Sequence, residues 1–383
     1  MGNGIRYLDG FRGISAFWVI AAHCAIWGVP EISLPLPKIA VDIFMIMSGF
    51  LMAYTTMRRE DAEPFETPAN WLRFYVRRFW RLAPAYYLVL FAAVMLSVPF
   101  IQGYTELRSV NQSFWHGSAH DPSSIKFDIV NIISHITFVF GLIPQYSSST
   151  GLPDWSLGLE MQFYALFPIV YLAIRRFGHT KVCIPLALIS VVFIVLFKKM
   201  TGPDGSHGLF PDPSFIFLRL HLFLVGILLC DAFYSENIEY KERWRRCALA
   251  IAFVSVQVVF YRLQVLLLLA CVFLIIAIEV QAPGSKKIIG ILGNKFTKFL
   301  ADMSYSVYLV HGFFLSMGGA YLYRQPWFKS LGYGTRYFII LSVVTVGSYV
   351  LAYFIEKFVE RPGIKIGKRL SERSVKSDEL APT

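Results

Sequence analysis

Ten separate runs of this chain are apolar and long enough to cross a bilayer, which takes roughly 17–25 residues each. They fall near residues 11–29, 38–57, 82–102, 155–174, 181–198, 214–234, 246–262, 264–280, 299–322 and 336–356. In lipid, backbone polar groups must be paired inside the segment or in a closed barrel, and runs of this length predict helices. The expected fold is therefore all-α: a polytopic membrane protein with about ten transmembrane helices. Only 16% of the 383 residues are charged, against about 25% in soluble domains, and the mean hydropathy is +0.54. The first run follows Arg6, Asp9 and Arg12 with no evident small-residue cleavage site, so it reads as a retained span.

Charge sets the orientation. An eleventh stretch, 128–144, contains Asp128, Asn131, Ser134 and His135. If it does not cross, and the N-terminus is cytoplasmic, 26 of the 36 Lys and Arg residues fall inside. If it crosses, the count becomes 15 inside and 21 outside, which breaks the positive-inside rule. Ten spans with both termini cytoplasmic are expected, with 128–144 re-entrant or lying at the outer surface. Lys198 and Lys199 stay on the wrong side. The net charge of +11 sits in short clusters between apolar runs, which encodes topology and does not point to nucleic acid.

Residues 1–360 read as one membrane domain. Residues 361–383 read as a cytoplasmic tail, polar and without apolar periodicity, and are expected to be disordered. The longest loop, 103–154, is expected outside. The five cysteines show no metal-ligand spacing and read as small buried hydrophobes, and no metal is expected.

Ionisable groups inside spans are costly, and each is a functional hypothesis. His23 lies in the outer half of the first span. Arg12 is eleven residues earlier, on nearly the same helix face and about 16 Å away along the axis. Asp42 and Glu160 reach a similar depth, and a carboxylate can fix an imidazole tautomer. His311 shares a face with Ser304 and Tyr308. Each has a plainer reading: a core histidine bonded to a carbonyl, helix-to-helix glue, or a hydrogen-bonded seam. Arg73, Arg77, Arg78 and Arg81 suit phosphate, but a topology signal meeting anionic lipid explains them as simply.

Together these residues carry a resemblance. Arg12-x10-His23 follows Tyr7-Leu8-Asp9-Gly10-Phe11-Arg12-Gly13, and then come Val41-Asp42-Ile43-Phe44 and Ser48-Gly49-Phe50. Arg77-Arg78-Phe79-Trp80-Arg81-Leu82-Ala83-Pro84, Trp155-Ser156-Leu157-Gly158-Leu159-Glu160 and Ser304-Tyr305-Ser306-Val307-Tyr308-Leu309-Val310-His311 complete the order. The chain resembles the integral-membrane acyltransferase family three, which includes O-acetyltransferases of bacterial envelope glycans, Nod factors and macrolides. Met45, Met47 and Met161 depart from the family pattern. No periplasmic esterase-like domain is expected after the tenth span.

The resemblance implies a bacterial cytoplasmic-membrane O-acyltransferase. It implies acetyl-CoA or another acyl-CoA as donor, bound from the cytoplasm by Arg12, Arg78 and Arg81. It implies His23 as general base or, second, as acyl carrier. Glu160 and Asp42 would orient His23 or bind the acceptor, and Trp155, Tyr308 and His311 would contact it. The acceptor would be a glycan or glycolipid hydroxyl, and the other partner is the lipid bilayer. The rival reading is a transporter or flippase, which ten spans and midplane polar groups also suit, though no paired Gly/Pro-interrupted helices stand in matching halves. A scaffold without catalysis is the third.

Overall fold

The computed structural model describes residues 5–110, 125–199, 210 and 212–378. The described residues contain helices and no strand. Helix α1 (Arg6–His23) passes into a π turn (Cys24–Gly28), and α2 follows (Pro37–Met57). Next come α3 (Pro68–Met95), α4 (Ser97–Val110) and the short α5 (Ile129–Ile136). Then come α6 (Trp155–Phe177), α7 (His179–Lys199), α8 (Leu220–Tyr234) and α9 (Tyr240–Ser255). Helices α10 (Val265–Glu279), α11 (Ser285–Leu292) and α12 (Lys295–Phe313) lead to a second π turn (Phe314–Gly318) and α13 (Gly319–Arg324). Last are α14 (Tyr333–Ile355), a third π turn (Glu356–Glu360) and α15 (Arg361–Asp378).

The starts of these helices follow local chemistry. Pro37 and Pro68 open α2 and α3 where no N–H is needed. The Asp128 carboxylate accepts from the Asn131 N–H, and the Asn294 side chain from the Thr297 N–H, each at 2.9 Å.

Six helices among the described residues are long and apolar enough to cross a membrane, or seven if a bent pair counts as one span. Each of the ten expected runs has a helix, but not all have that length and composition. Helix α8 has 15 residues and α9 has 16. The expected span 82–102 is broken: α3 and α4 meet at 79°. Pro99 lacks the N–H that would bond the Met95 carbonyl, and its ring crowds the preceding turn.

Segment 128–144 holds no helix long enough to cross a bilayer. Helix α5 has eight residues, about 12 Å of rise, well short of the bilayer core. Asn131, Ser134 and His135 point inward, while Ile129, Val130, Ile133 and Ile136 are exposed. Part of loop 103–154 is therefore helical, with α4 running to Val110, and its residues 111–124 lie outside the described residues. The tail differs from expectation too. Arg361–Asp378 is helix, continuous with α14 through a π turn.

The five cysteines are buried and free. The seam between α1 and α12 positions the site. A Cβ on Gly13 would come 2.7 Å from Leu300 Cβ and 3.0 Å from the Thr297 carbonyl oxygen. Only a residue without a side chain lets these helices approach so closely, which is how helices pack in lipid.

Candidate active site

The α1–α12 seam carries a polar contact at each end. Near the start of α1, Arg12 Nη2 donates to Ser304 Oγ at 3.4 Å, and Asp9 stands 4.0 Å from Arg12. At its end, His23 Nδ1 lies 2.8 Å from His311 Nε2, with the ring planes within 7°. Trp27 stacks on His23 with centroids 4.8 Å apart. The face that holds Ser304, Tyr308 and His311 is thus the face of α12 turned to α1.

The backbone assigns the tautomers of the neutral pair. His311 Nδ1 lies 2.7 Å from the Tyr308 carbonyl oxygen, which can only accept, so His311 carries its proton on Nδ1. Its Nε2 is then an acceptor, and His23 must donate from Nδ1. The basic nitrogen of His23 is left as Nε2. Both histidines stand at helix ends that pass into π turns, and such widened turns recur at functional sites.

A cavity of ≈ 840 Å³, its open mouth included, lies beside this seam. Of the residues singled out from sequence, Arg12, Arg78, Arg81, Glu160 and Tyr308 line it. Glu160 accepts from Ser48 Oγ at 3.2 Å and from the Tyr164 hydroxyl. Arg78 donates to Thr55 Oγ1 at 3.1 Å and lies over the rings of Phe74 and Tyr164. The Tyr308 hydroxyl meets Ser156 Oγ at 2.8 Å. Glu160 and Glu360 lie close enough to act on the charge of Arg81. Three arginines and one glutamate among apolar side chains such as Val41, Phe44 and Leu157 suit a substrate that is anionic in one part and hydroxyl-bearing in another.

His23 and His311 do not line the cavity. They adjoin it through Tyr308, which lines the cavity and whose carbonyl holds His311. Trp155 is buried at the start of α6 and stands outside the lining, beside Ser156, which belongs to it. Asp42 is also outside. It lies 2.9 Å from Arg219 Nε in an ion pair with both side chains fully buried. Arg219 lies inside the expected span 214–234, where the sequence reading passed over it. Glu360 was missed too: it accepts from Ser306 at 3.1 Å. The rule that flags ionisable groups in spans applies to Arg219 and to Glu356, while Glu360 lies four residues past the last expected run. Among the described residues no cluster of His, Cys, Asp and Glu has the arrangement of a metal site.

Several apolar helices long enough to cross a membrane enclose an arginine- and glutamate-lined cavity with a histidine pair at its side, the build of a multi-pass membrane protein. The chain belongs to the acyltransferase-domain family, whose profile matches residues 5–353. It is 26% identical over 215 residues to the peptidoglycan O-acetyltransferase OatA of Listeria monocytogenes, covering 52% of this chain and 30% of that protein. It is 25% identical over 211 residues to the regulator of hypoxia-inducible factor 1 of Caenorhabditis elegans, covering 49% of this chain and 38% of that one. An uncharacterized protein of Haemophilus influenzae is 27% identical over 244 residues, with 61% and 86% coverage. The chain thus spans well under half the length of the first two relatives. No solved structure matches it.

Proposed function

We propose that this protein is a membrane O-acyltransferase that moves an acyl group, chiefly acetyl, from cytoplasmic acyl-CoA onto a hydroxyl of a glycan or glycolipid. The observation that carries the reading is the chain Tyr308 carbonyl–His311–His23 beside a cavity holding Arg12, Arg78, Arg81 and Glu160. The relative named for peptidoglycan O-acetylation supports a glycan acceptor.

In this reading His23 is the general base. Its Nε2 takes the proton of the acceptor hydroxyl as the oxygen attacks the thioester carbonyl carbon. The tetrahedral adduct collapses, the carbon–sulfur bond breaks, and the imidazolium returns its proton to the departing thiolate. His311 keeps Nδ1 of His23 occupied as a donor, the part a carboxylate plays in other triads. The arginines hold donor phosphates or the polar groups of its arm. Glu160 engages acceptor hydroxyls.

The membrane is the bacterial cytoplasmic membrane, with ten crossings and both termini inside, as the positive-inside count supports. Helices α8 and α12 can be shorter or more polar than lipid-facing spans because both are mostly buried within the protein.

The test is transfer from labelled acetyl-CoA in reconstituted membranes. His23→Ala should abolish transfer while leaving thermal stability and acetyl-CoA binding intact. Normal acetylation by that variant overturns the assignment.

A further inference from the structure

Helix α15 lies along α3, and two glycines set how closely. A Cβ on Gly363 would come 2.8 Å from the Trp80 carbonyl oxygen and 2.9 Å from Pro84 Cγ. A Cβ on Gly367 would come 2.6 Å from Trp80 Cβ. This seat brings the next residue after each glycine, Ile364 and Lys368, to the wall of a second cavity of ≈ 800 Å³, its open mouth included.

The second cavity is strongly basic. Arg59, Arg77, Arg78, Arg81 and Lys368 line it, against one carboxylate, Glu63. Glu63 is already engaged by Arg77 at 2.5 Å and by Arg59 at 3.4 Å. Lys368 has a loose, exposed pairing with Glu372 at 3.8 Å, which is worth little in water. Arg78 and Arg81 belong to both cavities. The two chambers are therefore neighbours, one almost wholly cationic and one of mixed charge, with Arg78 and Arg81 shared by both.

A long donor with a polyanionic head and a neutral arm matches that order. We propose that the second cavity receives the phosphate-bearing end of the acyl donor, and that Lys368 of α15 completes the phosphate contacts there. The C-terminal helix is then part of the donor site. The inference rests on the acyl-donor reading above and extends it to a helix and a lysine outside the arginine motif.

The experiment measures acetyl-CoA affinity in phosphatidylcholine nanodiscs for the wild type, Lys368→Glu and Lys368→Arg, with 3′,5′-ADP as an armless competitor. Losing one charge-assisted contact and reversing its sign should weaken acetyl-CoA binding about tenfold or more. Lys368→Arg should bind like the wild type, and 3′,5′-ADP should displace acetyl-CoA from the wild type and far less well from Lys368→Glu. Equal affinity in all three proteins overturns the role of α15 alone. Failure of 3′,5′-ADP to compete with the wild type overturns the phosphate assignment of the cavity. An effect of Lys368→Glu seen only after phosphatidylglycerol is added identifies a lipid headgroup as the occupant and overturns the proposal. No acetyl-CoA binding to the wild type overturns the donor reading and this inference with it.

Discussion

His23 Nδ1 and His311 Nε2 stand 2.8 Å apart, joining residues separated by 288 positions in the chain. One imidazole thus sets the proton on the other, and a backbone carbonyl sets the proton on the first. No carboxylate has to be placed in the bilayer to fix the tautomer of the proposed base, which avoids the cost of a buried charge.

That arrangement separates the two histidines by experiment. His23→Ala should remove transfer, and His311→Leu should lower kcat by about 10²-fold, within the range general-base positioning supplies. His311→Gln should retain more activity than His311→Leu, because an amide oxygen can still accept from His23 Nδ1. Steady-state kinetics with acetyl-CoA checks this; equal losses for Gln and Leu would argue against tautomer control.

Arg78→Ala and Arg81→Ala should act mainly on the donor. Each should weaken acetyl-CoA binding about tenfold or more, with a smaller effect on acceptor KM. Titration calorimetry in nanodiscs reads the first and acceptor-dependent kinetics the second. A block on acceptor use with unchanged donor affinity would reverse the assignment of this face.

Asp42 and Arg219 test a structural pairing. Removing one partner of a buried ion pair costs about 3–5 kcal/mol, while replacing both is often neutral. Arg219→Met should therefore lower thermal stability sharply, and Asp42→Asn with Arg219→Met should recover much of it. The double variant should still transfer acyl groups. Loss of transfer in a well-folded double variant would instead return Asp42 to the chemistry.

Gly13→Val probes the α1–α12 seam. The new side chain would meet Leu300 Cβ at under van der Waals distance, and overpacking of this kind costs about 1–3 kcal/mol. Melting temperature and transfer activity should fall together, since both the Arg12–Ser304 and the His23–His311 contacts depend on that approach. A stable, fully active variant would mean the two helices can part without affecting the site.

Apolar length located the helices long enough to cross a bilayer, in α1, α2, α6, α7, α10 and α14. The order of the motifs located Arg12, Arg78, Arg81, Glu160 and Tyr308, which the fold gathers into one cavity. The partners were not legible, because Asp42 with Arg219 and His23 with His311 meet only through tertiary packing. The π turns leave no compositional trace. Helix α15 was hidden for a different reason. Among its residues 361–372 the buried positions are Gly363, Gly367 and Ser371, small residues four apart, to which a search for apolar periodicity is blind.

Arg78 and Arg81 line both cavities, and in the proposed reading their side chains form the partition between them. On that reading, passage between the cavities calls for these two side chains to swing aside and not for displacement of whole helices. The same partition is positively charged, and fixed arginine charge is a barrier to protons and metal cations in membrane pores. A thioester arm could therefore slip past without opening a proton leak, so acyl traffic would not discharge the membrane potential.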